Sequence, residues 1–258
     1  MTTSLSPRTL GIDAAPSAPG PIPFSRLVRV EWAKATDTRA ARWLLALVAL
    51  STAGIMLVPV LVPTSFDQTD ASYLRVAALG LSILLPVVAI LMFTGEWSQR
   101  SVMTTFTQEP RRIRVLNAKL AVSVVLGGGG AVFGGVVTAA GLALAAASGR
   151  TLEADLSLGD ITSYLLYVLL NVLAAVALGA LLQNSAAAIA ASFALPAAFA
   201  LLGTASTLVS EWIDMSIWNW VLENDWAGHV PQISVSIVFW VAVPLAAGVV
   251  RTTRRDVT

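Results

Sequence analysis

Cysteine is absent from this chain, histidine occurs once and lysine twice. Without cysteine there is no disulfide framework and no thiolate metal site. Neither Lys34 nor Lys119 follows a Gly-x-x-x-x-Gly loop, so the chain has no Walker A motif with which to cradle a nucleotide. The one histidine, His229, lies in an acidic segment, wrong in depth and side to serve as a base for a serine near Gly203-Thr204-Ala205-Ser206. No catalytic set remains, and no metal or cofactor site is expected in this chain. Charge is scarce as well: 12% of residues are charged and 56% hydrophobic, against about 25% charged in an ordinary soluble domain. A formal net charge of +1, with no broad basic surface, gives no case for nucleic-acid binding.

What is present is a set of long apolar stretches, at residues 43–62, 73–94, 120–148, 161–182, 186–209 and 233–250. Each is near or above the roughly 20 residues that carry a helix across a bilayer, where backbone groups must be satisfied within the helix. The expected fold is all-α, a polytopic membrane protein with six transmembrane helices. Loop charge alternates in sign. Arg26, Arg29, Lys34, Arg39 and Arg42 precede the first span, Arg100, Arg111, Arg112, Arg114 and Lys119 lie between the second and third, and Arg251, Arg254 and Arg255 close the chain. The intervening loops carry Asp67 and Asp70, then Glu153, Asp155 and Asp160, then Glu211, Asp214, Glu223 and Asp225. The positive-inside rule then places both termini in the cytoplasm and the protein in the plasma (inner) membrane. The spans hold no acidic residue away from their ends, which disfavours a proton- or sodium-driven carrier.

Residues 1–23, rich in Pro, Ser and Ala, read as a disordered cytoplasmic tail rather than a signal peptide. Residues 24–42 read as an amphipathic interfacial segment, helical over 24–36. Phe24, Leu27, Val28, Trp32 and Ala35 share a face, with Arg26, Arg29 and Lys34 able to reach headgroups. An elbow helix on the inner leaflet and a plain cytoplasmic lead into the first span both fit. The six-span domain occupies 43–255.

Its inner loop 95–119 is too long for a simple turn. Residues 96–109 lack Gly and Pro, Pro110 ends the run, and Val102, Met103 and Phe106 gather on one side at helical spacing. The segment is either a short helix docked in a partner's groove or a basic lipid anchor through Arg111, Arg112 and Arg114. In the third span Gly130-x-x-x-Gly134 predicts close helix packing. Pro86, Pro196 and Pro244 predict bends. Asn171 is expected to make an interhelical hydrogen bond. The outer segment 210–232, with Trp212, Trp218, Trp220 and Trp226, predicts an interfacial aromatic belt or an interfacial helix.

Two sets of motifs resemble a known family. Gly95-Glu96-Trp97, Ser101-Val102, Pro110-Arg111-Arg112 and Ala118-Lys119 are similar to the first cytoplasmic loop of ABC-2 type transporter permeases, and Glu31-Trp32-Ala33-Lys34 to the Glu-x-x-Lys of their amphipathic entry helix. Ser101 stands where a Gly is common. The resemblance covers about residues 24–255. It implies the permease subunit of an ATP-binding cassette exporter, working with a second permease copy and two ATPase subunits, with ATP and Mg bound by those partners. It also implies short re-entrant or interfacial helices between the last two spans. Coupling to the ATPase would fall to Glu96, Arg100, Val102, Met103, Phe106, Pro110, Arg111 and Arg112, with Glu96 fixing the loop by a charge pair. A cargo that is small and apolar or amphipathic suits spans without charge. The alternatives are a non-transporting membrane scaffold or sensor-associated subunit and, further off, a secondary carrier.

Overall fold

The computed structural model describes residues 22–98 and 111–254. Among them the architecture is all-helical. It runs α1 (Phe24–Thr36), α2 (Arg39–Leu61), α3 (Asp70–Ser98), α4 (Arg112–Ala147), α5 (Leu158–Leu182), α6 (Ser185–Gly203), the short α7 (Thr207–Trp212) and α8 (Trp218–Leu222), and α9 (Val230–Arg254). Six of these, α2 to α6 and α9, are long and apolar enough to cross a membrane.

Local chemistry sets the boundaries. Thr38 caps α2, its hydroxyl accepting from the Ala41 N–H at 3.1 Å, so residues 39–42 belong to the first span helix and not to the entry segment. Pro63 follows the end of α2 and cannot extend it. Ser157 and Asp160 form a reciprocal capping box at the start of α5. That helix closes on Gln183 in the left-handed region (φ 53°), and the side chain of Asn184 at once caps α6, giving a two-residue turn.

Helices α3 and α5 are the enclosed centre of the bundle. Tyr73, Leu81, Leu85 and Phe93 of α3 pack with Val168, Val172 and Val176 of α5 in one core cluster. Helix α4 crosses them with its glycines split between two faces. A Cβ on Gly130 would stand 2.6 Å from Leu85, and one on Gly134 would run into the Tyr164 hydroxyl and come within 2.9 Å of Leu81. Gly128, Gly129 and Gly135 face open space. Helix α6 is the opposite of α3, with Ala188 its one buried residue.

The loops sort into two ends. At one end, Gln68 to Asp70 pair with Glu153 through backbone bonds of 3.0 and 3.2 Å, and the Asp155 carboxylate accepts from the Ala71 N–H at 2.9 Å. Arg150 caps the C-terminal carbonyls of α2, at Pro59 (2.9 Å) and Val60, and Ser163 donates to Asn224 at 3.1 Å. All three acidic loops therefore meet. At the other end lie α1, the close of α3, the start of α4, the 183–184 turn and the close of α9.

Two sequence expectations change. Trp218 is 1% exposed and belongs to the core rather than to an interfacial belt, whereas Trp212 and Trp226 are exposed. Asn171 donates to Tyr167 O, one turn back in its own helix, at 2.9 Å, the local back-bonding open to a polar side chain inside a helix. The inward face of α1 carries Glu31 and Ala35, and Phe24 and Trp32 are exposed.

Candidate functional site

Both lysines of the chain meet two glutamates where α1, α3 and α4 converge. Lys119, on the second turn of α4, donates to Glu31 Oε2 at 2.7 Å and lies 3.3 Å from Glu96 Oε2 near the end of α3. Lys34 donates to Glu31 Oε1 at 2.7 Å and to Glu96 Oε1. Each lysine thus spans both carboxylates, and the four side chains close a neutral ring. Glu31 and Lys119 are each 3% exposed, while Lys34 sits at the rim.

Burying such charges is tolerable only because every one is paired and hydrogen-bonded. For Lys34, burial by itself lowers the pKa, but the hydrogen bonds and charges of Glu31 and Glu96 outweigh it and the net shift is upward from 10.5. A raised folded value means that its contribution is complete below the unfolded lysine pKa and is lost as pH rises through the higher folded one. In detergent, Lys34→Met is therefore expected to melt below wild type throughout pH 7 to 9. The gap should close only above 10.5, as thermal unfolding across pH would read; a gap already closing at pH 8 would contradict the assignment.

The surrounding contacts hold the same end together. Arg112 Nη1 donates to Thr252 O in the last turn of α9 at 2.8 Å, and Gln183 Nε2 donates to the Thr252 hydroxyl at 2.9 Å. Arg251 reaches Leu181 O, the Thr94 and Ser185 hydroxyls meet at 2.7 Å, and Arg114 donates to Ile22 O. Arg112 is thus engaged with protein rather than held out to solvent. Arg111 is exposed just before α4. Arg100, Val102, Met103, Phe106 and Pro110 lie outside the described residues.

Sequence reasoning assigns a charge pair to Glu96 alone. Glu31, Lys34 and Lys119 complete it, and the one signal that could have found them is that the only two lysines of the chain stand in the two family-like motifs. Among the described residues no group of His, Cys, Asp and Glu could hold a metal ion. The charge ring joins three helices at the point where the 95–119 loop departs and returns. At the acidic end, the His229 ring stacks on Trp220 with centroids 3.8 Å apart and its Nδ1 lies 2.9 Å from Asp225 O, a packed loop residue. Comparison with known proteins finds no matching family model and no similar curated protein or solved structure.

Proposed function

We propose that this chain is the membrane subunit of an ABC-2-like exporter, working as two copies with two ATPase subunits, with the basic end and both termini in the cytoplasm. The observation that carries the reading is the charge ring. The motifs that resemble the family, Glu31 with Lys34, Glu96 and Lys119, are far apart in sequence and meet at one place. In this reading ATP closes the ATPase pair and the loop takes up that movement. The loop's two roots, tied to each other and to α1, pass it to the bundle as one body. Spans without midplane charge suit a cargo that is apolar or amphipathic.

The test is biochemical. Purified in mild detergent from its native host, the tagged chain should bring down a Walker A-bearing ATPase in equal numbers and show nucleotide hydrolysis only with it. Single cysteines at Glu153 and Asp225 should react with an impermeant reagent from outside intact cells, and one at Thr253 only after permeabilisation. Proton-driven transport by the chain alone would defeat the reading, and reversed labelling would overturn its orientation.

A further inference from the structure

A cavity of about 50 Å³ lies midway along the spans, walled by α3, α5, α6 and α9. Its walls include Ser82 and Pro86, Ser192 and Pro196, Asn171, and Trp240. Two walls repeat one device, Ser-x-x-x-Pro. A proline inside a helix withholds the N–H that would bond the carbonyl four residues back, and those carbonyls belong to Ser82 and Ser192. A helix carbonyl points along the axis, here from one cavity-lining residue towards the next, so each withheld N–H and its carbonyl fall within a turn whose two ends line the cavity. Trp240 stands four residues before Pro244, within the π-helical turn Val238–Ala242, a kind of distortion frequent at functional sites.

The donors on these walls are largely spent. The Ser82 hydroxyl donates to Leu79 O at 2.9 Å, the Ser192 hydroxyl to Ile189 O at 2.8 Å, and Trp240 Nε1 to Ile213 O at 2.6 Å. Asn171 gives one N–H to Tyr167 O. The Tyr167 hydroxyl, beside Ser82 and Asn171, can occupy one of their acceptor positions and still leaves the two carbonyls. No Asp, Glu, Lys, Arg or His is among the described residues lining the cavity. At its rim Ile83 and Phe193 are exposed on the side of the bundle.

We infer that this cavity is a binding site, entered from the hydrocarbon of the bilayer, for the polar head of a neutral apolar molecule that carries a hydrogen-bond donor, a hydroxyl or an amide N–H. The surplus of acceptors selects a donor, since a buried acceptor left unpaired is costly. The absence of a carboxylate disfavours an ammonium group, whose charge would be desolvated without a counter-ion. The site goes beyond the proposed transport role and does not depend on which partner supplies energy.

The test uses the full chain in lipid nanodiscs with two photoreactive probes, a long-chain diazirine alkanol and its methyl ether, which cannot donate. The alkanol should label peptides containing Ser82, Asn171 and Ser192 saturably, competed by unlabelled alkanol, and the ether should label them at least about tenfold less, on the order of one to two hydrogen bonds. Pro196→Ala restores the donor to the Ser192 carbonyl and should weaken saturable labelling by about fivefold while the chain stays folded. Equal labelling by the ether, labelling that does not saturate, an unchanged Pro196→Ala variant, or stronger labelling by the matching alkylamine would each overturn the inference. ATPase recruitment is measured separately, so a failure here leaves the coupling reading standing, and the reverse.

Discussion

Lys119→Met is expected to destabilise the detergent-solubilised chain by about 3–5 kcal/mol, the usual loss when one member of a buried ion pair is removed. The variant leaves Glu31, 3% exposed, with Lys34 at the rim as its remaining cation in the ring. The penalty is then mainly an uncompensated carboxylate in a dry site, and only secondarily a lost attraction. That distinction can be measured. Glu31→Gln combined with Lys119→Met removes one charge of each sign, keeps the Lys34–Glu96 bridge and should recover most of the loss, so the double variant should unfold at a higher temperature than either single one. If Lys119→Met unfolds like wild type, the ring does not hold the three helices together.

The second large effect is expected at Gly134. Its Cβ position is filled by the Tyr164 hydroxyl and Leu81, and Tyr164 donates to Ala131 O at 2.7 Å in the buried interior. Gly134→Val must displace that ring or spread α4 from α5. Overpacking typically costs about 1–3 kcal/mol, and the broken hydrogen bond about 1 more. Gly128→Ala is the control, since nothing lies within 4 Å of its Cβ and alanine is the better helix former. It should be neutral or slightly stabilising. Equal losses from the two variants would show that α4 is sensitive to any side chain rather than to a specific contact face.

Six apolar spans and a helix over residues 24–36 were legible in the sequence, because hydropathy and helical period are properties of neighbours along the chain. Gly130 and Gly134 could be read as a packing pair for the same reason. Partners could not be. Nothing in the spacing of Glu31, Lys34, Glu96 and Lys119 says that they meet, since 62 residues separate Lys34 from Glu96 and 88 separate Glu31 from Lys119. Trp218 reads as one more tryptophan of an outer belt because indole suits interface and core alike, and only packing by α5 decides. Asn171 illustrates the competition of a local acceptor with a distant one. The repeated Ser-x-x-x-Pro of α3 and α6 lies in plain view, but its meaning depends on the two copies facing one cavity.

Helix α4 is one uninterrupted rod of 36 residues, about 54 Å at 1.5 Å per residue, far longer than a bilayer core of about 30 Å. Its tightest contact, at Gly134, lies about 22 Å from Lys119 and about 20 Å from the far end at Ala147. Close approaches at Gly127 and Gly130 on one side and at Gly141 on the other flank that contact, so the rod is gripped on both sides of its middle rather than at its ends alone, and it joins the charge ring to the Arg150 clamp on α2 as one continuous strut.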